Sequence, residues 1–273
     1  MKIHKFFHEF KMIENKIDKL LYLFTKVLQI LSHSTKKRYN GSQLTNMVFN
    51  FFRRGNEVCI RFKNFRLMWP VIDLGMPPMY AYGSHEPILH KFFRPSEGEV
   101  VIDIGAYTGY YTILSALAVG NKGWVLSIEA NPYTAKILRK NLMLNNIKNV
   151  IVLNKALWDT TTKLNLYLAE DLISGRDSVV RQNRRFIEVE ATTLDYVIDG
   201  LDINHVDWIK IDVEGAEYNV LSGAIHTLKS NKSLRVFIEA HTSLIAKDVQ
   251  HFMSSISYIP VQKDSRHIFF IHK

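Results

Sequence analysis

Acidic, basic and imidazole side chains lie at the ends of two apolar runs in the second half of the chain. Lys210, Asp212 and Glu214 alternate along the end of the first run, and Glu239 and His241 end the second. The carboxyl ends of adjacent parallel strands share one edge of a sheet, where ligands bind in open α/β folds. The spacing therefore predicts a cluster that could orient a hydroxyl group and accept its proton.

Within this cluster, Asp212 is the first candidate for proton acceptor and His241 is the second. Lys210 could neutralise the carboxylates or take a direct part, and both interpretations stay open. Asp212 and Glu214 could also be acidic residues favoured near the N-terminus of the helix expected from residue 216. Carboxylates of this kind can bind a divalent ion. Because no close ligand spacing such as H-E-x-x-H is present, we predict no metal site.

A glycine-containing loop follows the strand expected at residues 100–104. Asp103, Gly105 and Gly109 form the pattern D-x-G-x-x-x-G, and a helix is expected directly after it. Glycine permits a sharp turn and the close approach of a ligand, and a helix N-terminus offers free N–H groups. The spacing fits neither the G-x-G-x-x-G of dinucleotide sites nor a P-loop. Glu129 could accept hydrogen bonds from two ribose hydroxyls, so we expect a nucleoside joined to an amino acid.

Alternating strands and helices position these residues from residue 100 onward. Bounded apolar runs predict strands, and three- and four-residue periodicity predicts helices. The pattern predicts an α/β fold with a mostly parallel sheet and an antiparallel finish. The expected strands are 58–62, 65–69, 100–104, 124–129, 150–153, 164–168, 186–190, 206–211, 234–239, 256–261 and 267–271, and the expected helices are 44–53, one opening at Glu86-Pro87, 110–119, 132–145, 216–229 and 244–254. Strands 164–168 and 186–190 are expected to form a hairpin, and Asn131 is the expected N-cap of the helix at 132–145.

Three stretches together carry a family resemblance. They are Val100–Thr112, the segment I-K-I-D-V-E-G-A-E at residues 209–217, and E-A-H at residues 239–241. They resemble the FkbM family of S-adenosylmethionine-dependent methyltransferases, and the similarity extends over residues 86–261. Tyr107 is a departure from the family, whose members often carry Asn at that position.

The resemblance implies a class I methyltransferase (Rossmann-like) fold, with a mostly parallel seven-stranded sheet and helices on both faces. It implies S-adenosyl-L-methionine as methyl donor and O-methylation of a hydroxyl on a sugar, glycan or related metabolite. The catalytic set stays Lys210, Asp212, Glu214, Glu239 and His241. The cofactor-binding set expected with it is Asp103, Gly105, Ala106, Gly109, Glu129, Asn131, Ala156 and Leu157.

The net charge of +9 is distributed unevenly along the chain. Residues 1–38 hold nine Lys or Arg against three Asp or Glu, a net of +6, and their apolar residues have the period of an amphipathic helix. We expect this helix to pack on the body, form a dimer or contact a membrane surface. The expected domains are this basic helix at 1–40, a lead-in at 41–98 and the methyltransferase domain at 99–273.

Composition narrows the location and the partners. Cys59 is the single cysteine, so neither a disulfide within the chain nor a Cys-based zinc site is expected, which favours a reducing compartment. No apolar run is long enough for a membrane span, and no signal peptide is expected. We therefore predict a cytoplasmic enzyme, at most peripheral to a membrane, with a small-molecule or glycan acceptor and no DNA.

Three further alternatives stay open. The overall basicity would suit an RNA methyltransferase. The chain could also be a non-catalytic assembly protein that binds the cofactor and uses its N-terminal helix for a partner. The basic residues of the link at 176–185 could bind an anionic substrate or form a solvated loop; they are Arg176, Arg181, Arg184 and Arg185.

Overall fold

The computed structural model describes residues 11–16, 18–20, 23, 57–70, 86–168, 176–182 and 185–273. The chain divides into two compact units, residues 1–85 and 86–273. No helix of the described ranges is long and apolar enough to cross a membrane. The helix predicted at 44–53 and Arg184 lie outside the described residues, as does most of the helix predicted at 1–38. The three-domain division stays a prediction.

The described part of the first unit is built around a hairpin. β1 (Glu57–Arg61) pairs antiparallel with β2 (Arg66–Pro70), which confirms both predicted strands. Ile13 makes an antiparallel β-bridge to Ile60, and the Glu14 amide donates to the carbonyl of Cys59 at 3.2 Å. The prediction of one continuous helix over residues 1–38 is therefore wrong at Ile13 and Glu14, because their backbone bonds to the edge of β1.

The second unit contains a seven-stranded sheet in the order β11-β12-β10-β9-β3-β4-β5. β10, β9, β3, β4 and β5 are parallel, and β12 runs antiparallel to both β10 and β11. This confirms the predicted α/β class with its antiparallel finish. The strands are β3 (Val100–Ile104), β4 (Trp124–Ile128), β5 (Val150–Leu153), β9 (Trp208–Ile211), β10 (Arg235–Glu239), β11 (Tyr258–Lys263) and β12 (His267–His272).

A second, three-stranded sheet contains the predicted hairpin. β7 (Thr162–Tyr167) pairs antiparallel with β8 (Phe186–Thr192), and β8 pairs parallel with the two-residue strand β6 (Ala156–Leu157). Leu166, Val189 and Ala191 form its small core with Ala156. β6 was not predicted, because two residues are too few to show a period.

Helices follow most strands, and caps in the sequence set several of their starts. The Asn131 side chain accepts a hydrogen bond from the amide of Tyr133, which confirms it as the predicted N-cap. Thr193 and Thr242 cap helices in the same way. The helices are α1 (Pro87–Phe92), α2 (Tyr110–Val119), α3 (Pro132–Leu144), α4 (Leu194–Gly200), α5 (Glu217–Ser222), α6 (Ile225–Ser230) and α7 (Ser243–Ser255).

The single helix predicted over residues 216–229 is wrong, because α5 and α6 are separate helices. A Cβ on Gly223 would lie 2.1 Å from the carbonyl oxygen of Trp158, so the chain passes too close there for a larger residue. The Asp195 carboxylate accepts hydrogen bonds from the amides of His226 and Thr227, at 2.9 and 2.8 Å. These contacts come from segments distant in sequence, and they determine where α5 ends and α6 begins.

The core of the second unit places the carboxyl ends of the central strands. All four residues of β9 are buried, which requires cover on both faces of the sheet. Ile102 and Ile104 of β3 pack in one cluster with Ile209 and Ile211 of β9, and each is at most 1% exposed. The ends of β3, β4, β9 and β10 thus have fixed positions, and the predicted site residues other than Ala156 and Leu157 lie at or just beyond them.

Candidate functional site

The loop between β3 and α2 is held in an unusual backbone conformation. Gly105 and Gly109 have φ angles of 74° and 93°, and Tyr107 has a φ of 52°. A Cβ on Gly105 would lie 1.7 Å from the carbonyl oxygen of Asp212, and one on Gly109 would lie 2.2 Å from Leu138 Cδ1. Both glycines are therefore required by the backbone and by close neighbours.

Glu129 lies just beyond β4 and binds this loop from the side. Its Oε2 accepts a hydrogen bond from the Tyr107 amide at 2.8 Å, and its Oε1 accepts one from the Asn131 amide at 2.9 Å. Burial raises the pKa of Glu129 to about 7, with the charges of Asp177 and Asp103 adding to the effect, although the two amides lower it. Each oxygen has capacity for a further hydrogen bond, so the carboxylate could take two hydroxyl groups.

The Asp103 side chain is fully buried beneath the loop. Its Oδ2 accepts a hydrogen bond from Thr112 at 2.6 Å, and its Oδ1 lies 3.3 Å from Lys210 Nζ. The same ammonium lies 3.4 Å from the carbonyl oxygen of Gly105. Asp103 and Lys210 thus tie the end of β9 to the glycine loop of β3.

Three further predicted cofactor residues are buried. Ala106 is buried and its amide donates to the carbonyl of Ile128 at 3.1 Å. Ala156 and Leu157 are buried in β6. The cofactor contacts assigned to these residues stay predictions.

Asp212 is the most exposed carboxylate of the predicted catalytic cluster. Its side chain is 27% exposed, and its two oxygens lie 3.7 Å from Lys210 Nζ and 3.7 Å from His241 Nε2. Burial raises the pKa of Asp212 well above its usual value; Lys210 and His241 oppose this shift, and the charges of Glu239 and Glu86 reinforce it. A carboxylate with a raised pKa is a better proton acceptor than an ordinary one.

Lys210 stays positively charged despite its burial. Burial alone would lower its pKa, but the charges of Asp103, Asp212 and Glu86 outweigh it and raise the pKa above the ordinary value. The ammonium also lies 5.5 Å above the ring of Tyr111. Lys210 therefore supplies a fixed positive charge between the glycine loop and Asp212.

His241 connects the cluster to a buried carboxylate that the sequence analysis did not single out. Its Nδ1 lies 3.0 Å from Oε1 of Glu217, a fully buried residue that also accepts a hydrogen bond from the Gly215 amide. Its Nε2 lies 3.3 Å from Glu214 Oε2. Burial would lower the pKa of His241, but Glu214, Glu217 and Asp212 raise it to about 10. His241 is thus an imidazolium near neutral pH.

Glu214 has its backbone in the left-handed region and its side chain between two cations. Its φ is 55°, and its carboxylate forms ion pairs with Arg181 and with His241. Burial would raise the pKa of Glu214, but these partners lower it overall. Its side chain therefore supports the cluster as an anion.

Residues 176–182 of the basic link contact both a predicted cofactor-binding residue and a predicted catalytic residue. Ser178 donates to the carbonyl of Glu214 at 2.7 Å. Asp177 accepts a hydrogen bond from the Asn131 side chain at 2.8 Å, on the side of Glu129. The segment thus contacts Asn131 of the predicted cofactor-binding set and Glu214 of the predicted catalytic set. These contacts could not be predicted from the sequence, because they are made by polar residues that follow no periodic pattern.

Glu239 lies on the same edge with a different set of neighbours. Its Oε1 lies 3.1 Å from Arg266, and its Oε2 lies 3.6 Å from Nε2 of His267. His241 Nε2 is 3.7 Å from Oε1. His267 belongs to no motif and was therefore not predicted as a site residue.

A protein-family model described as "Methyltransferase FkbM domain" matches residues 103–259, which are more than half of the chain. The chain belongs to the FkbM methyltransferase family. This confirms the predicted family, the class I fold seen in the sheet, and S-adenosyl-L-methionine as the cofactor of the domain. The match also confirms the predicted enzyme class, which is that of the S-adenosylmethionine-dependent methyltransferases.

Curated relatives match over part of their length. A protein-L-isoaspartate O-methyltransferase 1 from Archaeoglobus fulgidus is 28% identical over 134 residues, which are 48% of this chain and 60% of that protein. A probable cobalt-precorrin-6B C(15)-methyltransferase from Sulfolobus acidocaldarius is 29% identical over 80 residues, 29% of this chain and 42% of that protein. The chain thus spans about half of these relatives.

Solved structures show a more distant similarity. Trm5b from Pyrococcus abyssi aligns at a TM-score of 0.46 and 16% identity, over 79% of this chain and 54% of that one. TYW2 from M. jannaschii, in complex with AdoMet, aligns at a TM-score of 0.44 and 18% identity, over 79% and 84%. Similarity at this level carries no information about the acceptor.

The described residues fit S-adenosyl-L-methionine by their chemistry. The Glu129 carboxylate is held by two backbone amides and retains acceptor capacity for ribose hydroxyls. The ten-residue helix α2 begins directly after Gly109 and offers N–H groups to an anionic carboxylate. Gly105 and Gly109 carry no Cβ, so the loop can take the positive φ angles that place it against Asp212 and Leu138.

Proposed function

We propose that this protein transfers the methyl group of S-adenosyl-L-methionine to a hydroxyl group of a sugar, glycan or related metabolite. The cofactor supplies a methyl group activated for displacement at a sulfonium centre. The chain must then hold the acceptor in line and remove its proton. The names of the curated relatives point to different acceptors, so support for the acceptor class has to come from the site.

The observation that carries the proposal is the position of Asp212 against the glycine loop. Its carbonyl oxygen lies against Gly105, and its amide donates to the carbonyl of Ile104 at 3.1 Å. The partly exposed carboxylate of Asp212 is therefore fixed beside the loop that suits the cofactor. A hydroxyl bound at this edge would meet the carboxylate with the raised pKa.

In the proposed reaction the acceptor oxygen forms a bond to the methyl carbon as the bond from that carbon to sulfur breaks. The hydroxyl proton passes to the carboxylate of Asp212. The Lys210 ammonium and the His241 imidazolium, each 3.7 Å from that carboxylate, orient it and balance its charge. Because His241 is protonated near neutral pH, Asp212 is the stronger candidate for the base.

The acceptor class is tested with methyl-labelled S-adenosyl-L-methionine and host extract. The purified full-length chain and its Asp212→Asn variant are incubated in parallel, and the labelled fraction is treated with glycosidases or ribonucleases. Label that glycosidases release, and that Asp212→Asn does not produce, supports the proposal. Label that ribonucleases release would overturn it in favour of an RNA methyltransferase. Cofactor binding with no label in any fraction would favour a non-catalytic assembly protein.

The proposal also covers the compartment of the protein and the role of residues 1–38. We infer a cytoplasmic enzyme whose basic N-terminal segment packs on the body, forms a dimer or contacts a membrane surface. The net charge of +6 in this segment supports an attachment role, because the remaining chain carries a net charge of only +3. Liposome flotation with and without residues 1–38 separates membrane contact from packing.

A further inference from the structure

A second buried cluster lies at the end of β10 and is formed by Glu86, Glu239 and His267. Glu86 precedes α1, Glu239 ends β10, and His267 begins β12 directly opposite Glu239 in the antiparallel register. All three residues are at most 7% exposed. Burying two carboxylates so close together is costly unless a cation lies between them.

The distances in this cluster are too long for hydrogen bonds. Nε2 of His267 lies 3.8 Å from Glu86 Oε1 and 3.6 Å from Glu239 Oε2. Although it is buried, this nitrogen has no hydrogen-bond partner among the residues that the structure describes. Hydrogen bonds of this type have separations of about 2.7–3.2 Å. The two carboxylate oxygens therefore face the nitrogen across a gap.

The gap has the width of a shared metal ion. Zinc-type bonds to nitrogen and oxygen are about 2.0–2.2 Å long, so two ligands of one ion lie roughly 3–3.6 Å apart. One oxygen of each glutamate and Nε2 of His267 all lie within 4.8 Å of one another. A shift of a few tenths of an ångström would bring these three atoms to bonding distance of one ion.

Each of the three side chains has a second contact that orients it toward the gap. Nδ1 of His267 lies 3.1 Å from both carboxylate oxygens of Asp264, which leaves Nε2 pointing to the glutamates. The Tyr111 hydroxyl donates to Glu86 Oε2. Arg266 lies against Glu239 Oε1. Carboxylate–histidine–metal arrangements of this kind fix the ring and the tautomer of a ligating histidine.

We propose that Glu86, Glu239 and His267 bind a divalent first-row transition-metal ion, with Asp264 positioning the imidazole. Two carboxylate oxygens and one imidazole nitrogen suit Mn²⁺, Fe²⁺ or Zn²⁺ better than the all-oxygen sets of Mg²⁺ and Ca²⁺. The ion replaces a proton between His267 and the glutamates. The site shares Glu239 with the predicted catalytic set, and Oε1 of Glu239 lies 3.7 Å from His241 Nε2, but neither Asp212 nor Glu214 is a ligand.

The test uses Mn²⁺ as the probe and needs no methyl transfer. Full-length protein is treated with EDTA, exchanged into chelator-free buffer and titrated with Mn²⁺, while free ion is followed by electron paramagnetic resonance. We expect one bound ion per chain and its displacement by Zn²⁺. We expect His267→Asn to remove binding and Asp264→Asn, which keeps all three ligands, to weaken it by about 10–100-fold.

His241→Asn is the matched control, because Asp212, Glu214 and His241 form a second group of potential ligands. The proposal expects this variant to bind Mn²⁺ as the wild type does. Loss of binding in His241→Asn, equal affinity in wild type and Asp264→Asn, or no binding by the wild type would each overturn the proposal. Circular dichroism of each variant shows whether it is folded. If His267→Asn does not fold, the Mn²⁺ affinity of Asp264→Asn tests the proposal in its place. The Mn²⁺ titration measures neither methyl transfer nor cofactor binding. Its result therefore stays interpretable even if the proposed function is wrong.

Discussion

Gly105 and Asp212 are in backbone contact, so the loop after β3 and the carboxyl end of β9 form one unit. A Cβ on Gly105 would lie 1.7 Å from the Asp212 carbonyl oxygen, where no atom can fit. Lys210 adds a second link, with its ammonium 3.3 Å from Asp103 and 3.7 Å from Asp212. The residues suited to the cofactor and those suited to the acceptor are thus positioned by the same contacts.

Replacing Gly105 with alanine is expected to disrupt both sides of the site. The new Cβ collides with Asp212, and the φ of 74° strains any residue other than glycine. We expect the free energy of unfolding to fall by about 1–3 kcal/mol and cofactor affinity to be lost. Calorimetric titration with S-adenosyl-L-methionine and chemical denaturation measure the two effects.

Gly200→Ala is the matched control for this change. A Cβ at Gly200 meets nothing within 4 Å, so we expect stability and cofactor affinity to be retained. Similar losses in both variants would show that the contact with Asp212 is not the cause.

Asp212→Asn keeps the shape of the side chain and removes its capacity to accept a proton. We expect kcat to fall by about 10²–10⁴-fold, the usual contribution of a general base. Cofactor affinity should stay the same, because the backbone contact with Gly105 is retained. Single-turnover rates and equilibrium binding measure the two quantities, and Asp248→Asn on the exposed face of α7 serves as control. A variant with full kcat would remove Asp212 from the role of base.

Cofactor binding should depend on pH through Glu129, whose pKa is raised to about 7. The ionised carboxylate is the better acceptor for ribose hydroxyls, so affinity should fall as pH decreases through this value. One pH unit below the pKa, about a tenth of the carboxylates are ionised, and we expect roughly tenfold weaker binding. Titrations from pH 8 to pH 6 measure this slope. Glu129→Gln should bind weakly with no such slope, and an equal slope in both proteins would contradict the assignment.

Glu217→Ala removes the buried partner of both His241 and the Gly215 amide. Leaving these two partly buried donors without an acceptor is expected to lower the free energy of unfolding by about 1–3 kcal/mol. Because His241 loses its orientation, kcat should also fall while cofactor affinity is retained. Denaturation curves and steady-state rates measure these effects. Glu188→Ala, at an exposed ion pair with Lys163, is the control and should change neither.

The sequence predicted those parts of the site that depend on local signals. The glycine pattern, the Asn131 cap and the alternation of Lys210 and Asp212 each act within a few residues, and the structure confirms the elements that they predict. The strands were predicted from bounded, continuously apolar runs, and the helices from three- and four-residue periodicity. The resemblance to the FkbM family added the cofactor.

The parts that were missed depend on contacts between distant segments. The break between α5 and α6 arises because Gly223 lies against Trp158 and because Asp195 caps α6. Glu86 and His267 meet only when α1 and β12 are folded, and neither has a spacing that indicates a ligand. Such contacts leave no period or motif in a single sequence.

The alkali stability of the methylated product tests the central claim most directly. Methyl transfer to a hydroxyl gives an ether, whereas transfer to a carboxylate gives an ester that mild base hydrolyses to methanol. Product labelled by the wild-type chain, with Asp212→Asn as the blank, is held in mild alkali and the volatile label is measured. We expect the label to stay on the product. Release of the label as methanol would contradict transfer to a hydroxyl group.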